Sequence, residues 1–124
     1  LYNIRGGIKM KILNLSNHTL TVEQTNELDQ QGYNEVVELD QEDKKAWGQL
    51  TPNNYKEICD DIMSKYKADA IHLAGFPAAT VYVALKALVP CLYAYSERNC
   101  VETPMPDGSI DKRYIFKHLG FYRY

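Results

Sequence analysis

The sequence predicts a single α/β domain with a mainly parallel sheet and a C-terminal antiparallel hairpin. Three observations carry that expectation. From Met10 to Val89, short segments with strand periodicity alternate with longer ones whose apolar residues recur at helical spacing. Capping residues and prolines bound the helical segments. After Pro90 the period falls to that of a strand on both sides of Asp107-Gly108, a dipeptide that favours a tight hairpin. Strand and helix in alternation give a Rossmann-like three-layer arrangement, with an expected strand order of 2-1-3-4 and the hairpin at one edge.

The elements follow in order. Met10 to Ser16 alternates apolar and polar residues and runs into the polar turn Asn17-His18, as a first strand would. Thr21-Val22-Glu23-Gln24 has the spacing of a capping box, so a helix should run to about Gly32. Asn34 to Leu39 is a second strand. Asp40 to Gln49 is charged, holds Trp47, and reads as a short surface helix or an irregular connection. Thr51-Pro52 opens a clearer helix with Pro52 at its first position, and Tyr55, Ile58, Cys59, Ile62, Met63 and Tyr66 form its core stripe. Ala68 to Gly75 is a central strand. Pro77 to Val89 is a helix apolar almost all round, which must be covered on most sides by the sheet and by another subunit, and Pro90 stops it. Cys91 to about Met105 and Ile110 to Tyr124 form the hairpin.

The totals narrow the function classes. The chain has 124 residues, enough for one core, and no run of apolar residues long enough to cross a membrane as a helix. Its net charge of −2 argues against a long DNA or RNA track, while a small anionic ligand needs only local positive charge. Cys59, Cys91 and Cys100 are well separated and odd in number, so neither a disulfide framework nor a zinc knuckle is indicated, and a cytoplasmic location is expected. No secretory signal is visible, and residues 1–9, which precede Met10, read as an extension outside the 10–124 domain.

Ligands of open parallel sheets bind outside the carboxyl ends of the strands, where the strand order reverses. For the order 2-1-3-4 this places Ser16, Asn17 and His18 opposite the turn Gly75-Phe76-Pro77-Ala78, with the stretch Ser96-Glu97-Arg98 converging on the same crevice. Gly75 permits close backbone approach, Pro77 suits the first helical position, and small Ala78 and Ala79 leave amides open to an anion. The same residues also suit a helix start packed tightly on the sheet. A two-residue turn at Asp107-Gly108 pairs Glu102 with Arg113, Arg98 with Lys117, and Glu97 with His118. Two cations opposite each other imply an anion between them, unless a bulge near Pro104 or Pro106 shifts the register.

Of the histidines, His18 lies in a polar turn and suits a general acid or base, or a capping role. His72 on the central strand reads as a satisfied core residue, and His118 as a partner of Glu97. No H-E-x-x-H motif or Cys/His spacing indicates a metal, and no cofactor is expected. Ten tyrosines are many for this length, and Tyr93, Tyr95, Tyr122 and Tyr124 on the last strands suit a subunit interface, base stacking or ordinary strand packing.

Leu15 to Gln24, the Trp47 region, the turn after the third strand, and Val101-Glu102 through Ile115 to Tyr124 together resemble a family of small CRISPR-associated proteins of type III systems. These are ring-nuclease-like relatives of domains that sense cyclic oligoadenylate, and the similarity covers nearly everything from Met10 onward. The resemblance implies a Rossmann-like homodimer holding cyclic tetra-adenylate, or a similar ring, on its two-fold axis. It also implies metal-independent cleavage, in which a ribose 2′-hydroxyl attacks the adjacent phosphorus and leaves a 2′,3′-cyclic phosphate. On this chain it assigns phosphate contacts to Gly75 through Ala79, Arg98 and Lys117, and ribose or adenine contacts to Asn17, Thr80 and Ser96. His18 is its acid or base, Arg98 acts with it, and Phe76 stacks on a base. Ser16, Tyr95 and Glu97 complete the expected ligand surface. Relatives often carry Gly-Asp-x-Gly-Ala after the third strand where this chain has Gly75-Phe76-Pro77-Ala78-Ala79, which puts a shared catalytic acid in doubt. A sensor or sponge that holds the ring uncut, and a protein-interaction domain with no nucleotide ligand, stay open beside the enzyme.

Overall fold

A computed structural model describes residues 9–124, so all but the last residue of the segment read as an extension lies outside the described residues. The order is β1 (Met10–Leu15), α1 (Val22–Gln30), β2 (Tyr33–Glu38), α2 (Gln41–Trp47), α3 (Tyr55–Lys65), β3 (Ala70–Leu73), α4 (Pro77–Lys86), β4 (Cys91–Pro104) and β5 (Ile110–Arg123). They build one five-stranded sheet in the order β2-β1-β3-β4-β5, in which β5 extends the four expected strands. Neighbours up to β4 are parallel, and β4 with β5 is antiparallel.

Alternation along the strands divides the core between the two faces of the sheet. Leu13, Leu15, Ile71 and Leu73 pack with Cys59 and Ile62 of α3 and with Ala79 and Val83 of α4. On the other face Ile12, Ala70, Leu92 and Phe121 close over Leu28 of α1. Burial raises the Cys59 thiol to about 11, so this cysteine is an inert core side chain.

Local rules explain most boundaries. Both arms of the α1 capping box form: Gln24 N–H donates to Thr21 Oγ1 at 3.1 Å and Thr21 N–H to Gln24 Oε1 at 2.9 Å. The charged segment after β2 is a true helix, N-capped by Asp40 through Asp43 N–H at 2.8 Å. By contrast α3 begins at Tyr55 and not at Pro52. Asn54 Oδ1 accepts from Thr51 N–H at 2.7 Å, and this side-chain turn displaces the first turn of helix. Helix α4 ends at Lys86, short of Val89, where Ala87 takes extended backbone three residues ahead of Pro90. Its apolar outer face is uncovered at Val81 and Leu85, and Leu88 just beyond its end is exposed beside them.

The hairpin differs most from expectation. Its loop has three residues, Pro106-Asp107-Gly108, not two: Gly108 N–H donates to Met105 O at 3.0 Å and Met105 N–H to Ser109 O at 2.8 Å. Pro106 sits at the second position of a type I turn and Gly108 (φ +90°) supplies the left-handed residue that closes it, the usual construction of a three-residue loop. Every pair from the loop in to Ser96 and His118 therefore shifts by one. Arg113 faces Val101, Lys112 faces Glu102, Lys117 faces Glu97, Phe116 faces Arg98 and His118 faces Ser96. Arg98 and Lys117 thus lie on opposite faces of the ribbon, and the anion inferred between them has no basis. A bulge between Tyr95 and Ser96 restores the two-residue register nearer the core, where Tyr93 faces Tyr122.

Candidate functional site

Strand β3 stops at Leu73 while its neighbour β4 runs on, which leaves a hollow past the carboxyl end of β3. Its volume is about 410 Å³, with His18, Gln24, His72, Gly75, Thr80 and Tyr93 among its walls. A second hollow of about 370 Å³, walled by Asn17, Trp47, Gly48 and Phe76, shares His18, Ala74 and Gly75 with it. The two form one crevice, on which the turns after β1 and β3 converge.

Asn14 organises the floor. It is fully buried on β1, an unusual place for an amide, and all of its hydrogen-bonding capacity toward the site is used. Its Nδ2 donates to His18 O at 2.8 Å and to Glu38 Oε1 at 3.1 Å. Its Oδ1 accepts from Ser16 Oγ at 2.7 Å and lies 2.9 Å from His72 Nδ1. Ser16 Oγ in turn accepts from His18 N–H at 3.2 Å, so the backbone of His18 is held on both sides while its imidazole stays exposed in the crevice. Ser16 itself is buried beneath the turn. Burial, with His18 close by, pushes the His72 imidazole down to about 4, so it is uncharged at neutral pH.

Helix α2 forms the far wall. Trp47 Nε1 donates to Ala74 O at 2.9 Å and fixes the turn after β3. Gly75 (φ +149°) has backbone that favours glycine, and a Cβ there would meet Trp47 Nε1 at 2.7 Å. The Asn17 amide donates to Lys44 O at 3.0 Å and accepts from Gly48 N–H at 3.3 Å, which ties the β1 turn to the end of α2.

Pro77 opens α4 as expected, with Phe76 at the N-cap, its ring 6.1 Å from that of Tyr55. Fewer amides are open than expected, because those of Ala79 and Thr80 both bond to Phe76 O at 3.0 Å. That leaves Ala78, exposed and with no bond to its N–H, since Pro77 has none. Thr80 Oγ1 donates to Pro77 O at 2.8 Å, so toward the crevice the hydroxyl is an acceptor.

The remaining expected contacts lie on β4 and β5. Ser96, Glu97 and Arg98 are in mid-strand, outside the crevice walls, and the Arg98 guanidinium stacks on Tyr114 at 3.9 Å. Lys117 stands opposite Glu97 on the other face of the ribbon. Tyr95 joins Tyr93, Tyr122 and Tyr124 in an edge-packed cluster beside the crevice. The Tyr124 hydroxyl donates to Leu73 O, the last residue of β3. His118 does not pair with Glu97; its Nε2 lies 2.7 Å from Glu27 Oε1 on α1, and Glu27 Oε2 accepts from Phe121 N–H at 3.0 Å.

Asn14, His72 and Trp47 are the site residues that the sequence reading passed over. A signal existed for Asn14, a polar residue at an inward position between Leu13 and Leu15, while the partners of His72 and Trp47 are distant in sequence. A separate hollow of about 420 Å³ lies at the opposite ends of the strands, between the last turns of α3 and α4. Its walls are mostly apolar, with Met63, Ile71 and Leu88 among them, so it lacks the convergent polar groups of the crevice. Among the described residues no group of His, Cys, Asp and Glu side chains gathers as metal ligands, and no helix is long and apolar enough to cross a membrane.

No curated protein and no solved structure gives a significant match to this chain. A family model matches residues 10–122, the span that contains the sheet short of the last residue of β5 and every wall of the crevice but Tyr124, and the chain belongs to that family, described as the Uncharacterized protein MJ1673 family.

Proposed function

We propose that this protein is a ring nuclease that binds cyclic oligoadenylate, of which cyclic tetra-adenylate is the expected form, and opens it without a metal ion. The observation that carries this reading is the crevice at the ends of β1 and β3, where an exposed imidazole, His18, is held by its own backbone beside the first turn of α4. The Rossmann-like plan puts such a crevice at the reversal of strand order, and the resemblance of the early and late segments to type III CRISPR-associated ring nucleases supplies the substrate class.

In the proposed reaction a ribose 2′-hydroxyl attacks the adjacent phosphorus in line. The P–O5′ bond breaks, the 5′-oxygen leaves as a hydroxyl, and a 2′,3′-cyclic phosphate remains. His18 takes the 2′-proton or delivers one to the leaving oxygen, and the Ala78 amide at the positive end of α4 receives a phosphate. Phe76 and the tyrosine cluster offer faces on which adenines stack. A homodimer, joined in part through Val81, Leu85 and Leu88, would present the crevice twice to a two-fold ring. The product ends a cytoplasmic defence signal.

Incubation of the protein with labelled cyclic tetra-adenylate in EDTA tests the reading. Multiple turnovers to linear product are expected, and His18→Ala should slow them about 100-fold or more while it spares binding. Stoichiometric retention of the intact ring would replace the enzyme by a sponge, a reading favoured by the crevice walls, which among the described residues hold no exposed imidazole besides His18 and no carboxylate or amine. Neither binding nor product would defeat both.

A further inference from the structure

The floor of the crevice holds a histidine whose tautomer is fixed from behind. Asn14 Nδ2 donates to a carbonyl, His18 O, and to a carboxylate, Glu38 Oε1. Neither group can donate in return, so the orientation of the Asn14 amide is fixed. Its Oδ1, which only accepts, then faces His72 Nδ1, and the proton of the neutral imidazole must sit on Nδ1. The lone pair is left on Nε2. His72 is only 3% exposed and lines the crevice, and among the described residues its ring is hydrogen-bonded through Nδ1. The ring is held edge-on to Phe121 at 5.8 Å and 89°. An acceptor kept in one orientation at the wall of the crevice is preorganised for a donor that enters it.

We propose that His72 Nε2 is a recognition point of the crevice, that it accepts a hydrogen bond from an uncharged N–H or O–H of the bound ligand, and that Asn14 is the positioning residue that holds it bare. The inference rests on the proposed function, under which the donor belongs either to an adenine 6-amino group or to a ribose 2′-hydroxyl. It assigns His72 a role in selection, distinct from the proton transfer given to His18.

Substitution His72→Asn separates the two edges of the ring. The shorter amide can still donate to Asn14 Oδ1 as Nδ1–H does, but places no atom at Nε2. Calorimetric titration with cyclic tetra-adenylate should show wild-type binding, and affinity at least tenfold weaker for His72→Asn with an unchanged thermal midpoint. Should that variant fail to fold, the wild-type protein is titrated with two ring analogues, one built from purine riboside, which lacks the 6-amino group, and one from 2′-deoxyadenosine. A tenfold loss with the first identifies the amine, and a loss with the second the hydroxyl. Equal affinity for the parent ring and both analogues, or undiminished affinity of His72→Asn, overturns the inference alone. No binding by the wild-type protein overturns the proposed function, and this inference with it.

Discussion

At the scale of single residues, the crevice depends on close approaches that tolerate little change. Gly75→Ala would hold a side chain at a left-handed φ and drive its Cβ into the Trp47 indole, at an expected cost of about 1–3 kcal/mol. Urea unfolding measures that cost, and a red shift of Trp47 emission would report the displaced ring. His72 gives stability its own pH dependence. Its folded pKa of about 4 lies below the ordinary 6.5, so between those values the unfolded chain binds the additional proton. The stability tied to a neutral His72 is full above pH 6.5 and falls as pH drops toward 4, by about 3 kcal/mol in all. His72→Asn should flatten that slope relative to wild type in unfolding curves from pH 7.5 to 4.5; parallel slopes would remove His72 as the cause. Asp40, Asp60 and Asp107 are held below 3.8 by their hydrogen bonds and titrate under this window. The sequence displayed His18 and Gly75 because turns advertise themselves in polar and small residues. It hid His72, since a buried histidine on a strand looks the same with or without an open nitrogen.

At the scale of elements, what was legible is what is decided within a few residues. The α1 capping box depends only on Thr21 and Gln24, and it forms as read. The ribbon register depends on the choice between a two-residue and a three-residue loop, and Pro106 ahead of Asp107-Gly108 tips that choice. A difference of one residue in the loop moved Arg98 and Lys117 to opposite faces and put His118 against α1. That last contact is a clamp between elements far apart in the chain. Glu27→Ala would leave the Phe121 N–H and His118 Nε2 without their acceptor, at an expected cost of about 1–3 kcal/mol for each group left buried. Hydrogen exchange should then speed up at the Phe121 amide and little at β1. Unchanged protection at Phe121 would show that the clamp does not hold β5 to α1.

At the scale of the whole molecule, the parallel core was readable from periodicity, whereas the outer surface was not, because partner contacts leave no period. The outer apolar face of α4 is bare, and Leu88 is fully exposed. If a second copy covers it, Leu85→Glu with Leu88→Glu should convert a dimer to a monomer in light scattering, whereas a wild-type monomer at tens of micromolar would sink that arrangement. Past the bulge, β4 and β5 leave the sheet as a two-stranded ribbon with Phe116, Ile115 and Tyr114 open to solvent, a form with little stability of its own. Strand β4 is continuous from the wall of the crevice at Tyr93 to the tip of that ribbon, and its partner β5 is pinned near the base by Glu27, with Tyr124 beyond it bonded to Leu73 O and to Cys91 O at the start of β4. Tip and pocket wall are thus two ends of one beam, and a load on the tip is expected to reach the wall along the strand; hydrogen exchange at the Tyr93 amide that stays the same when the tip is bound would show that it does not.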